Sequence, residues 1–222
     1  MKPNQAAIST QGLTKRYAED VLAVDRLDLS IPTNSIYALL GPNGAGKTTT
    51  IAMLTTLVEP TSGHAQIAGL DVIQQPDEVR KKIGVTFQEI VLDPDLTGRE
   101  SLDFHARLYG IEKPRRLAKI DALLNLVELE EAADRRTNTY SGGMKRRLEL
   151  ARGLITDPMV LFLDEPTAGM NPVERVQILE NIRRLSDQGL TTFVIVEHDM
   201  DIVFSLSQRV IVLHYGEIIG DG

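Results

Sequence analysis

No cysteine occurs anywhere in the 222 residues. That excludes a disulfide framework, a thiolate zinc site and a cysteine nucleophile. Long hydrophobic runs are also missing, and no stretch approaches the ~18–20 apolar residues a membrane-spanning helix needs. The opening Met1-Lys2-Pro3-Asn4-Gln5-Ala6-Ala7 lacks the apolar centre of a signal peptide. There is no basic excess: 24 Lys and Arg against 31 Asp and Glu leave a net charge of −7, a poor match to nucleic acid. Internal repeats and low-complexity segments are absent as well. These absences describe a chain expected in the cytoplasm, one that would need a partner's helices to engage a membrane. Its length suits one large domain, or a domain with a subdomain, burying roughly 70–75% of the unfolded surface.

What is present centres on Gly41-Pro42-Asn43-Gly44-Ala45-Gly46-Lys47-Thr48, which fits G-x-x-x-x-G-K-[ST]. A short apolar run, Ser35 to Leu40, precedes it with the length of a buried strand. Thr49-Thr50-Ile51-Ala52-Met53-Leu54 follows with the look of a first helical turn, so the strand–loop–helix setting is met. Gly41, Gly44 and Gly46 allow successive N–H groups to turn inward on a phosphate. The helix start adds free N–H groups and its positive dipole end. Lys47 is placed to reach the β- and γ-phosphates, and the Thr48 hydroxyl to ligate Mg²⁺. A nucleoside triphosphate is the expected ligand.

Residues 5–40 read as β structure, with Leu27, Leu29 and Ile31 alternating against Asp28 and Ser30. Residues 64–74 read as a strand, Asp77 to Lys82 as a short charged helix, and Ile83 to Phe87 as a strand with Gln88 at its end. In a parallel α/β sheet, ligands sit at such strand ends. Residues 89–139 change to helical character. Thr97 and Glu100 form a capping box opening a helix to about Tyr109, and Leu117, Ile120, Leu123, Leu124 and Val127 repeat at helical spacing over 115–129. Tyr140-Ser141-Gly142-Gly143-Met144 then starts another helix. Ser141 is a good N-cap and the two glycines allow an anion close to the helix terminus, a second phosphate cradle.

Met159 to Leu163 is an apolar run ending in Asp164 and Glu165. A buried parallel strand there sets Asp164 beside the phosphate loop to hold Mg²⁺, and Glu165 to act as general base on the attacking water. Residues 173–187 read as a helix with Val176, Leu179, Ile182 and Leu185 on one face. Thr191 to Glu197 is another buried strand, with His198 beyond its end within reach of a γ-phosphate or the attacking water. His64, His105 and His214 read as surface residues. Arg209 to Leu213 and Glu217 to Ile219 are the last strands.

These separated elements resemble, in type, order and spacing, the ATP-binding cassette (ABC) ATPases. The carriers are the loop 41–48, Gln88, the segment 140–144, Asp164 with Glu165, and His198, spread over essentially the whole chain. The resemblance implies an α/β P-loop NTPase of ABC type, with a mixed central sheet, an N-terminal antiparallel β subdomain and an inserted helical subdomain. One nucleotide-binding domain would cover 1–222, with a core of 1–88 and 156–222 and a helical part of 89–155. It implies ATP with Mg²⁺, held by Tyr17 on the adenine, Gly41, Pro42, Asn43, Gly44, Ala45, Gly46, Lys47, Thr48 and Thr49 on the phosphates, and Thr48, Gln88 and Asp164 on the metal. Glu165, His198, Gln88 and Lys47 would serve catalysis.

Two such domains would pack head to tail, with Ser141, Gly142 and Gly143 of one closing on the ATP of the other. The region 89–139 would receive the permease subunits of a membrane transporter and keep the chain on the inner face of the cell membrane. Tyr140 and Met144 stand where many members have Leu and Gln, and Asn171 where many have Asp. Residues 1–155 look like drug or polysaccharide export ATPases, and 167–222 like branched-chain amino acid uptake ATPases, the pattern of a chimera. A C-terminal regulatory domain is not expected. The alternatives are a soluble ABC ATPase outside transport and a non-catalytic module that assembles on ATP.

Overall fold

The computed structural model describes residues 6–18 and 21–222. Its centre is a six-stranded sheet in which sequence-distant strands lie side by side: β10(Glu217–Asp221), β9(Arg209–His214), β3(Ile36–Leu40), β8(Thr192–Val196), β7(Val160–Asp164) and β6(Ile83–Thr86). The four pairings from β9 to β6 are parallel, and β10 closes one edge antiparallel. Parallel strands covered on both faces read as continuous apolar runs, and every residue of β3 and β8 is buried.

Alternate residues of these strands feed two cores. Ile36, Leu161, Leu163, Phe193 and Ile195 face a helical layer. It is made of α3(Gly98–Leu108), α4(Lys113–Leu126), α5(Gly142–Gly153) and α6(Pro172–Asp187). Tyr37, Leu39, Val160, Phe162, Val194 and Val196 face the other way. There they meet α1(Lys47–Leu54) and a second, antiparallel sheet of β2(Leu22–Pro32), β1(Ala6–Arg16), β4(Ser62–Ile67) and β5(Leu70–Asp71). The remaining helices are the short α2(Pro76–Arg80) and α7(Met200–Leu206). This is the expected mixed α/β architecture with an antiparallel β part. Among the described residues, no helix is long and apolar enough to cross a membrane.

Local chemistry sets the element ends. The Thr97 side chain accepts from Glu100 N while Glu100 accepts from Thr97 N at 2.9 Å, the reciprocal box that opens α3. The expected single strand over 64–74 is instead a hairpin. Ala68 and Gly69 both take left-handed backbone (φ 53° and 80°), which turns β4 into β5 across the pair Ile67–Leu70. Two expected core stripes rotate slightly. Leu117 is 42% and Val176 54% exposed, because α4 and α6 bury Ile120–Leu124 and Ile178–Ile182–Leu185. His105 is not a plain surface residue: burial, then the nearby Arg152 charge, lowers its pKa to about 4.

Candidate nucleotide site

Four neighbouring strands of the large sheet, β3, β8, β7 and β6, all end at one side. Their C-terminal ends carry the Gly loop, His198, Asp164–Glu165 and Gln88 in that spatial order. Residues more than 150 positions apart in sequence thus meet in a cleft of about 450 Å³. Asn43 to Thr49 form its floor; Gln88, Asp164, Glu165 and His198 form one wall; Tyr17, Val21, Leu22 and Ala23, where β1 passes into β2, form the other. Gly41 and Pro42 act from behind, their carbonyls accepting from Lys47 Nζ at 2.6 and 3.1 Å.

The floor is built for an anion. Helix α1 starts at Gly46 with no side-chain cap and no acid in its first turn, so its leading N–H groups are left to a ligand. Gly46 has φ 101°, and a Cβ there would lie 2.5 Å from the Ala23 carbonyl oxygen, so only glycine fits. Burial pulls the Lys47 ammonium below its ordinary pKa, and the charges of Asp164 and Glu165 act in the opposite sense. Tyr17 is 43% exposed, with Lys15 Nζ 5.2 Å from its ring centroid.

Glu165 is the best-held group on the wall. Gln88 Nε2 donates to Glu165 Oε2 at 2.8 Å, and His198 Nε2 lies 3.2 Å from Oε1. Its backbone is left-handed at φ 46°, a conformation that disfavours a side chain and persists only where its surroundings enforce it. The enforcement is visible: Glu165 N donates to Val196 O at 2.9 Å, and its own carbonyl accepts from Ala168 N and from the Arg146 guanidinium. Asp164 beside it is pushed above the usual carboxylate range by burial and then by the Glu165 charge, with Arg146, Lys47 and His198 pulling it back. Two crowded acids facing an anion cradle call for a cation between them.

The sequence profile of the ABC transporter family matches residues 24–168, which contain the cradle and the paired carboxylates. The chain belongs to that family. It is 43% identical over 216 residues to the daunorubicin/doxorubicin resistance ATP-binding protein DrrA of Streptomyces peucetius, covering 97% of this chain. It is 41% identical over 217 residues to the Nod factor export ATP-binding protein I of Burkholderia orbicola, covering 98% of it. The chain spans 65% of the length of the first relative and 71% of the second. Among solved structures it is similar to cbiO1 from Clostridium perfringens, part of the ABC transporter complex cbiONQ, with TM-score 0.91 and 26% identity over 98% of this chain and 88% of that one. It is similar also to the dimeric post-hydrolysis cassette MJ0796 bound to ADP and Pi, with TM-score 0.85 and 27% identity over 97% of both.

The signature segment of this ABC cassette does not line the cleft. Ser141 caps α5 by accepting from Met144 N at 3.1 Å. The departures from the common family pattern have local explanations. Tyr140 is buried, its hydroxyl donates to Ala132 O at 2.6 Å, and it packs where a Cβ on Gly98 would stand 2.3 Å from that hydroxyl. It therefore fastens the signature to the start of α3. Met144 packs partly buried on the helical core. Asn171 caps α6 by accepting from Val173 N and Glu174 N, both at 3.0 Å, a job Asn performs as well as Asp.

Three residues of the machinery escape motif reading. Arg146, 2% exposed, reaches from α5 to the carbonyls of Phe87, Asp164, Glu165 and Pro166, gripping the Gln88 loop and the carboxylate turn together. Its signal in the sequence is helical spacing from Gly143, Leu150 and Gly153 on an inward stripe. Arg152 holds the far end of the same loop through Val91 O. Glu197 is buried and accepts from Thr167 N and Oγ1 and from His198 N, tying the loop after Glu165 to the His198 turn. No spacing rule marks it.

Proposed function

We propose that this chain is the ATP-binding and ATP-hydrolysing subunit of a membrane exporter, working as a head-to-tail pair of cassettes. The observation that carries the reading is the meeting of Lys47, Gln88, Asp164, Glu165 and His198 at four adjacent strand ends. In this reading Tyr17 stacks on adenine, and residues 41–49 hold the phosphates. Glu165, aimed by Gln88 and His198, takes the proton of the attacking water. Lys47 and the α1 N-terminus offset charge on the transferred phosphoryl group. The Thr48 hydroxyl, Asp164 and Gln88 suit Mg²⁺, a cation held by one or two carboxylates together with phosphate oxygens, which would neutralise phosphate charge. Ser141, Gly142 and Gly143 lie outside the cleft, so the segment is read as closing on the nucleotide of a second cassette.

Export is favoured over uptake because relatives named for drug resistance and for Nod factor export match over 97% and 98% of this chain. The chain is read as a core of 1–88 and 156–222 with an inserted helical part 89–155, against which α6 of the core also packs. Docking of permease subunits, expected on 89–139, is read as reaching beyond that range, into the cavity of about 250 Å³ where His105 of α3 and Tyr109 at its end meet Phe87, Val85, Leu57 and Arg152. Such docking would hold the chain on the inner face of the membrane.

The test is ATP hydrolysis by the purified chain as its concentration rises. A specific rate that climbs with concentration supports two chains building each site. A rate independent of concentration from a species whose solution mass with ATP is that of one chain would sink the reading.

A further inference from the structure

The signature cradle holds an anion of the chain's own. Glu174, in the first turn of α6, reaches across to α5, where Ser141 Oγ donates to its Oε1 at 2.8 Å and Gly143 N donates to the same oxygen at 3.3 Å. The other oxygen, Oε2, accepts from Asn171 N at 3.3 Å, the return half of the α6 capping box. The carboxyl lies directly over the start of α5: a Cβ on Gly143 would stand 2.4 Å from the Glu174 carboxyl carbon. Ser141 and Glu174 are 33 positions apart and on different helices, so tertiary packing alone makes this contact.

We propose that Glu174 stands in for phosphate in the signature cradle of the separate chain, and must release Ser141 and Gly143 before a second copy's ATP can be gripped there. This rests on the head-to-tail reading above. The argument is one of donor count and charge. A serine hydroxyl has one proton and a backbone amide one hydrogen, so neither serves the carboxylate and a γ-phosphate at once. A carboxylate left beside an arriving phosphate would also repel it. Glu174 therefore weakens ATP-driven pairing, and tunes it. Release also frees the first turn of α6, which follows directly from the loop after Glu165. Closure of the signature is thereby linked to the chain that carries the general base.

Glu174→Gln isolates the effect, because Gln at this position still completes a capping box and keeps α6 in place. The 222-residue chain carrying Glu165→Gln, which slows turnover, is compared with Glu165→Gln/Glu174→Gln by sedimentation equilibrium with MgATP and with MgADP. The expected result is a dimer Kd about tenfold lower for the double variant with ATP, the scale of one charge-assisted contact, and no difference with ADP. Glu174→Asp, one methylene shorter, keeps the charge but draws the oxygen back from Ser141, and is expected to tighten the dimer by a smaller factor. An equal or higher Kd for the Gln variant with ATP overturns the proposal. If Glu165→Gln fails to pair with ATP at all, the head-to-tail reading falls and this proposal with it. If it pairs, Ser141→Ala weakens the pair and Glu174→Gln changes nothing, only the role of Glu174 is lost.

Discussion

The two helix N-termini that the sequence offers as phosphate cradles are built from the same groups and finished in opposite ways. Helix α1 begins at a left-handed glycine, has no side-chain cap and no acid nearby in its first turn. Helix α5 begins at Ser141, is capped, and carries the Glu174 carboxylate on its leading donors. Both point leading N–H groups and a positive dipole end outward. Where the chain supplies no anion, the nucleotide must; where the chain supplies one, an incoming phosphate has to compete. The lesson is that a helix N-terminus reports an appetite for anions, and the neighbouring side chains decide how strongly a ligand is drawn.

The acids around the cradles differ in the same sense. Asp164 is raised above the ordinary carboxylate range by burial and by Glu165. Glu174 is lowered, first by the Ser141 hydrogen bond, which outweighs its slight burial. A group raised in the folded state holds its proton more tightly there, so its ionisation at neutral pH opposes folding. A group lowered in the folded state adds stability above the unfolded pKa, and that stability is lost as pH falls through the folded value. One acid is crowded by burial and a like charge, and the other is already satisfied by its hydrogen bonds.

This contrast can be broken most sharply at Glu165. Glu165→Gln should reduce ATP turnover by about 10²–10⁴-fold while nucleotide binding, measured by equilibrium dialysis, stays within a few fold. Equal loss of both would place Glu165 in binding rather than catalysis. The glycines come next. Gly46→Ala puts a methyl against the Ala23 carbonyl at positive φ and should cost about 2–3 kcal/mol in urea unfolding, with loss of nucleotide binding. Gly142→Ala, whose nearest neighbour would be Gly169 O at 3.8 Å, should leave stability unchanged or raise it by up to ~1 kcal/mol.

Smaller effects test the charges. Asp164→Asn should raise the Tm of the nucleotide-free chain at pH 7 by roughly 2–4 °C, about 1 kcal/mol, and the gain should vanish as pH is lowered toward the carboxylate range. A fall in Tm would mean that Asp164 is not strained. Smallest is Asn171→Asp, expected within about 0.5 kcal/mol by denaturant titration, because both residues cap α6 equally well.

Much of the site was legible because its chemistry is local. A Gly loop between a strand and a helix, two acids ending an apolar run and a His after another such run each carry their meaning within ten residues. Parallel strands buried on both faces announce themselves as unbroken apolar runs, so β3, β7 and β8 were readable. The misses share a cause. The hairpin at Ala68-Gly69 hides because alanine rarely takes positive φ. Leu117, Val176 and His105 were misjudged because helical spacing gives a stripe but not the angle at which a neighbour covers it. Arg146, Glu197 and Glu174 act through partners 18 to 59 positions away, where no local rule reaches.

The sequence by itself determined that this chain has a phosphate loop, a carboxylate pair, a second capped helix start and no apolar run of the length a membrane-spanning helix needs. These follow from backbone dihedrals, hydrogen-bond inventory and hydrophobic run length, which are properties of neighbours along the chain. Only the tertiary structure decided that β3, β8, β7 and β6 lie side by side, bringing Gln88 and His198 onto Glu165, and that Glu174 lies on Ser141. Strand order and helix packing are settled by which apolar faces bury one another, a matter of the whole core and not of any one segment.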